Sequence, residues 1–160
     1  MDGVKKTSGT GTKDGGHAAF ESGVKQGVIG IVIVAHGGLA REYLSAVEHV
    51  VGKQPGIRAI AIEEDHDRAA KQAEIRDAAD AVDDGDGVVV VTDMFGGSPS
   101  NLSLCACERQ NRQIIYGANL PMLIKLAKSR NLSVTDAVAT ALDAGRKYIN
   151  SYVGSGQGHQ

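Results

Sequence analysis

Cysteine is scarce in this chain: there are two, Cys105 and Cys107, spaced two apart. On a predicted helix that spacing puts them on different faces, which rules out a disulfide between them and leaves them as small apolar packing residues. A reduced, cytoplasmic protein is expected. Charge of one sign is missing too. The chain carries 17 Lys and Arg against 19 Asp and Glu, a formal net charge of -2. With no Lys/Arg stripe interleaved with aromatics, nucleic acid is not expected as a partner. No apolar run approaches the roughly 18 residues of a membrane span. Lys5-Lys6 is not followed by an apolar stretch, so neither a secretory signal nor membrane insertion is expected. No internal repeat is evident.

Metal motifs are equally thin. Asp83-Asp84-Gly85-Asp86-Gly87 lacks the spacing and the terminal Glu of an EF-hand loop and reads as a helix-to-strand turn. His66 lies in Glu63-Glu64-Asp65-His66-Asp67, which reads as a solvated loop and helix start, where the dipole favours acids. His49 falls beside core positions of a helix, and His17 and His159 fall in the terminal segments. None of these residues reads as a metal site.

What the chain does have is an alternation of strand and helix patterns. At 160 residues it is one domain in size, long enough to bury about two-thirds of its surface. Residues 1–27 are rich in Gly, Ser, Thr and Lys and read as a flexible tail, as do 154–160, leaving a domain at 28–153. Strands are predicted at 28–35, 57–62, 88–92 and 113–116. Helices are predicted at 39–51, 68–82, from about 99, at 120–129 and at 134–144. Ser98 is the expected N-cap before Pro99, Asn119 and Ser133 are expected caps, and Gly145 is the expected helix stop. Residues 147–153 alternate enough for a final strand. This is an α/β pattern with right-handed crossovers: an open, mostly parallel sheet of order 2-1-3-4, helices on both faces. The last strand is expected at an edge, antiparallel or exchanged with a second subunit.

The chemistry gathers at two strand ends. The apolar run from Val28 ends in Ala35-His36-Gly37-Gly38, and the run from Val88 ends in Thr92-Asp93-Met94-Phe95-Gly96-Gly97-Ser98-Pro99. In open α/β sheets ligands bind beyond the carboxyl ends of strands, at the switch in strand order. Order 2-1-3-4 brings His36 and Asp93 together there. A carboxylate accepting Nδ1–H fixes the imidazole tautomer and leaves Nε2 with its lone pair, a base or a nucleophile. Gly37, Gly96, Gly97 and Ser98 offer backbone and hydroxyl donors for anionic oxygens. These groups describe phosphoryl capture on a histidine. The Asn119-Leu120-Pro121-Met122 turn falls at the same edge and is read either as closing the site, as meeting a partner, or as a helix start.

On these three motifs the chain resembles the enzyme IIA component of the mannose-type phosphotransferase system, over residues 28–153. The resemblance implies that His36 accepts a phosphoryl group on Nε2 from the phosphohistidine of the small carrier HPr. It implies Asp93 as the orienting acid, and Gly37, Gly96, Gly97 and Ser98 on the phosphate side. Met94, Phe95, Asn119 and Pro121 are the expected partner-facing residues. It further implies a homodimer with an exchanged edge strand, no metal or organic cofactor, and onward transfer to a IIB-type or regulatory acceptor, expected here as a separate protein. Three other readings compete. A dihydroxyacetone kinase phosphocarrier subunit lacks the Gly-Gly-Ser-Pro loop. A histidine phosphatase would need Arg where Ala35 stands. A non-catalytic binding module would use the same edge without transfer.

Overall fold

The structure, a computed structural model, describes residues 27–154. Four parallel strands lie in the order β2-β1-β3-β4: β1 (Gly30–His36), β2 (Ile57–Ile62), β3 (Val88–Thr92) and β4 (Arg112–Tyr116). The expected open parallel sheet is therefore present. The register pairs His36 with Ile62, Val34 with Thr92, and Thr92 with Tyr116, so all four carboxyl ends come out along one edge.

Strand alternation divides the core in two. Ile31, Ile33 and Ala35 face one side with Val89 and Val91, beneath α1 (Leu39–Val51), α4 (Leu120–Lys128) and α5 (Val134–Lys147). Val32 and Val34 face the other with Val88 and Val90, against Ile75 and Ala79 of α2 (Arg68–Ala81) and Leu102 of α3 (Ser98–Ser103). A short 3-10 helix (Leu104–Cys107) follows α3 and carries both cysteines, which are free. Burial pushes the Cys107 thiol up to about 11, which keeps it an inert packing group. His36 continues the Val32–Val34 row, so its side chain comes out on the α2–α3 side of the sheet.

Three expectations are corrected. Gly97, not Ser98, is the N-cap of α3, and no side chain caps that helix. Gly145 does not stop α5, which runs on to Lys147. A Cβ at Gly145 would stand 3.1 Å from Met122 Cβ, and Asn119 Nδ2 donates to the Gly145 carbonyl at 2.9 Å. The glycine is there so that α4 and α5 can approach, and the helix simply continues through it. Finally, residues 148–153 form no strand; they have no regular structure, and Tyr148, Ile149, Tyr152 and Val153 are exposed. The helix uses up the start of the alternating segment, and the remainder pairs with no strand among the described residues.

The acidic turn after α2 does structural work. Asp83 Oδ1 accepts from the Gly85 and Gly87 amides, and its Oδ2 accepts from Arg112 at 2.9 Å. Arg112 also donates to Asp80 at 2.8 Å and to the Ala106 carbonyl at 3.0 Å, with its side chain 1% exposed. Burial works against both charges here, but the paired hydrogen bonds outweigh it. The Asp83 carboxyl is held below its usual range and the Arg112 guanidinium above its own. Removing one partner of such a buried group costs about 3 kcal/mol.

Candidate functional site

Asp93, one residue past β3, is the hub of the carboxyl edge. Its Oδ2 accepts from the His36 ring at Nδ1, 2.7 Å away, and from the His36 backbone N–H at 3.0 Å. Its Oδ1 accepts from the Met94 N–H at 3.0 Å. Partial burial raises the cost of its charge, but these donors and the neighbouring imidazole outweigh that and hold the carboxyl below its ordinary value. Asp93 is thus an ionised acceptor at neutral pH, and its contribution to stability is lost only as pH falls below the usual carboxylate range. An ionised carboxylate can only accept, so His36 Nδ1 carries a proton, and it is Nε2 that presents the lone pair in the neutral ring. The His36 side chain is 48% exposed while that of Asp93 is 11% exposed. The imidazole is available and its anchor is covered.

Nε2 faces the loop after β3. Gly97 stands against the ring: a Cβ there would lie 2.9 Å from His36 Cε1 and 3.2 Å from Nε2. Gly97 has φ -87° and ψ 176°, a conformation any residue adopts, so glycine is required there for space. Gly96 is different, with φ 83° and open space around it, so it serves the turn. The Gly96 amide donates to Ser100 Oγ at 3.0 Å, and that hydroxyl donates to the Gly97 carbonyl at 2.9 Å. Ser100, which sequence reasoning did not single out, therefore locks the loop, and it takes up the Gly96 donor. The backbone donors that remain head α3 at Gly97 and Ser98, where N–H groups have no intrahelical acceptor.

A cavity of about 470 Å³ opens beside this edge, lined by His36, Gly37, Ile62, Glu63, Glu64, His66 and Ser98. It brings together the expected His36, Gly37 and Ser98, with the β2–α2 loop as the opposite wall. Met94 and Phe95 do not line this cavity; they follow Asp93 in the loop after β3, 52% and 75% exposed, with Phe95 edge-on to Tyr116 at 5.0 Å. Asn119 and Pro121 are placed differently. The Asn119 amide is committed within the fold, capping α4 through the Met122 N–H at 3.0 Å while donating to Gly145. Pro121 lies in the first turn of α4 and lines a groove between α4 and α5. Tyr43 ties α1 to the loop after β4, donating to the Ala118 carbonyl at 2.9 Å. Burial, and secondarily the charge of Asp93, pushes its phenol up, so it stays a donor. In the sequence Tyr43 reads only as one residue of an apolar helix face.

Among the described residues no three His, Cys, Asp or Glu side chains are grouped as a metal site, and no helix is long and apolar enough to cross a membrane. What the arrangement can do is nucleophilic: a lone pair on an oriented imidazole, next to donors for an anion, at an open edge.

Comparison with known proteins converges on one group. A family model, EIIA-man, described as "PTS system fructose IIA component", matches residues 30–142. The mannose-specific EIIAB component of Escherichia coli K12 is 28% identical over 126 residues, covering 77% of this chain and 39% of that protein. This chain thus spans about two-fifths of that relative's length. The sorbose-specific EIIA component of Lacticaseibacillus casei is 25% identical over 125 residues, covering 76% of this chain and 88% of that protein. Among solved structures, the phosphotransferase component EIIA of Streptococcus agalactiae superposes with a TM-score of 0.69 at 26% identity, covering 77% of this chain and 96% of its own.

Proposed function

The chain belongs to the EIIA-man family of phosphotransferase-system IIA components, and from that membership we propose that it is a phosphocarrier whose acceptor atom is His36 Nε2. The observation that carries this reading is the 2.7 Å bond from His36 Nδ1–H to an ionised Asp93, which leaves Nε2 facing Gly97.

The step is a phosphoryl exchange between two imidazoles. The Nε2 lone pair attacks phosphorus on the phosphohistidine of an HPr-type carrier. The P–Nε2 bond forms as the donor's P–N bond breaks, and the donor imidazole leaves with the electron pair. With Nδ1 still protonated, the phosphorylated ring of His36 is an imidazolium, and Asp93 offsets its charge. Gly97 and Ser98 amides face the phosphoryl oxygens. The reverse exchange hands the group to a IIB-type or regulatory acceptor. Met94 and Phe95, exposed in the loop after β3, are the docking side chains for both partners. The site of action in this reading is the cytoplasm.

The test is transfer from a charged HPr-type carrier to the full chain, timed by rapid quench. Asp93→Asn slows it by on the order of 100-fold, the low end of what a positioned acid–base group contributes. An asparagine side chain must turn its amide nitrogen toward either the His36 or the Met94 donor, and it carries no charge. An unchanged rate would remove Asp93 from the mechanism.

Self-association belongs to the same reading. The outer edge of β4 has no strand partner among the described residues, and the apolar side chains of 148–153 lie uncovered. A homodimer that pairs this segment with a second copy satisfies both. Truncation after Lys147 then shifts the sedimentation of the protein from dimer to monomer; a dimer that survives truncation contradicts the exchange.

A further inference from the structure

We infer that His66 binds the phosphoryl group carried by His36, acting as a cation that donates from Nε2; this rests on the phosphocarrier reading. His66 lies on the β2–α2 loop and lines the same cavity as His36, Gly37 and Ser98. Its Nδ1 is 2.7 Å from the Glu63 carbonyl oxygen of its own loop. A carbonyl only accepts, so Nδ1 carries a proton in either charge state, and protonation adds its N–H at Nε2. The carbonyl bond thus does for His66 what Asp93 does for His36: it fixes the tautomer and leaves Nε2 as the variable atom.

Charge says why such a group is needed. A phosphoryl group on His36 brings about two negative charges into a cavity whose far wall carries Glu63 and Glu64. Among the described residues no Lys or Arg lines it. Arg41 of α1 reaches Glu63 at 3.9 Å from outside and lines a different pocket. Asp65 and Asp67 add further negative charge to the same loop, and Asp67 is turned to the α2 amides as its N-cap. Apart from His36 itself, His66 is the one lining side chain among the described residues able to become positive. The loop sequence around it reads as solvated and acidic, which gives no sign that the sheet register delivers it to the acceptor's cavity.

The consequence is a pH-dependent affinity for the phosphoryl group. The extra hold needs the protonated imidazole, so it weakens as pH rises and the proton leaves. The test mixes full-length wild type and His66→Gln in equal amounts with a catalytic quantity of HPr-type carrier and limiting phosphoryl groups. Intact mass then reads how the phosphoryl groups divide between the two at equilibrium, whatever the loading rates. At about pH 6 the wild type holds roughly 3- to 10-fold more, the range for a charge-assisted bond at a half-exposed site. The excess shrinks as the pH is raised toward about 8.5. His66→Lys, positive throughout, matches wild type at about pH 6 and exceeds it at about pH 8.5. Even division between wild type and both variants at both pH values overturns the inference. Failure of the wild type to take any phosphoryl group overturns the carrier reading beneath it.

Discussion

Replacing His36 with alanine abolishes phosphoryl acceptance and leaves the fold intact. The two halves of this expectation have separate causes. Acceptance fails because the lone pair of Nε2 is the nucleophile, and none of the other residues lining the cavity stands in its place against Gly97 and on Asp93. The fold survives because the His36 side chain is 48% exposed, and Asp93 keeps the His36 and Met94 backbone donors. The stability change is expected to stay within about 1 kcal/mol, as for a surface position. Label transfer from phosphoenolpyruvate through enzyme I and an HPr-type carrier checks the first half, and a urea midpoint checks the second. Normal labelling of a folded His36→Ala protein would move the acceptor elsewhere.

The second large effect comes from one methyl group. Gly97→Ala places a Cβ 2.9 Å from His36 Cε1 and 3.2 Å from Nε2, closer than a side chain tolerates. Either the ring swings off Asp93 or the methyl occupies the approach to the lone pair. A displacement of about 1 Å at a reacting atom costs on the order of 100-fold in rate, and that loss is expected in rapid-quench transfer. Because φ at Gly97 suits alanine, the protein should keep its thermal midpoint. Gly96→Ala makes the opposite comparison. It meets open space but strains a backbone with φ 83°, so it costs stability of about 1 kcal/mol without touching the imidazole. Unimpaired transfer by Gly97→Ala would mean that phosphorus approaches Nε2 from another side.

The difference between what was legible in the sequence and what was not follows from range. The strands at 57–62 and 88–92 and the helix at 39–51 are read to the residue, because each is an apolar pattern closed by a local stop. The strand order and the His36–Asp93 meeting follow from the rules of parallel sheets once those elements are placed. What escapes is decided by contacts distant in sequence. Gly145 looks like a stop, but its neighbour is Met122, more than twenty residues away, and that contact allows the helix to continue. Ser98 has the chemistry of a cap, yet Ser100 locks the loop through Gly96 and Gly97, leaving Ser98 in the first helical position at the cavity wall. The segment at 147–153 alternates like a strand, but α5 takes up its start and the rest pairs with no strand among the described residues, and alternation without pairing produces no strand.

The central claim is that His36 Nε2 carries a phosphoryl group. The most direct measurement is phosphorus NMR of the full chain after charging with enzyme I, an HPr-type carrier and phosphoenolpyruvate. One acid-labile phosphohistidine resonance of the Nε2 isomer is expected, absent from His36→Ala. No resonance in the presence of a demonstrably charged carrier, or a resonance of the Nδ1 isomer, would contradict it.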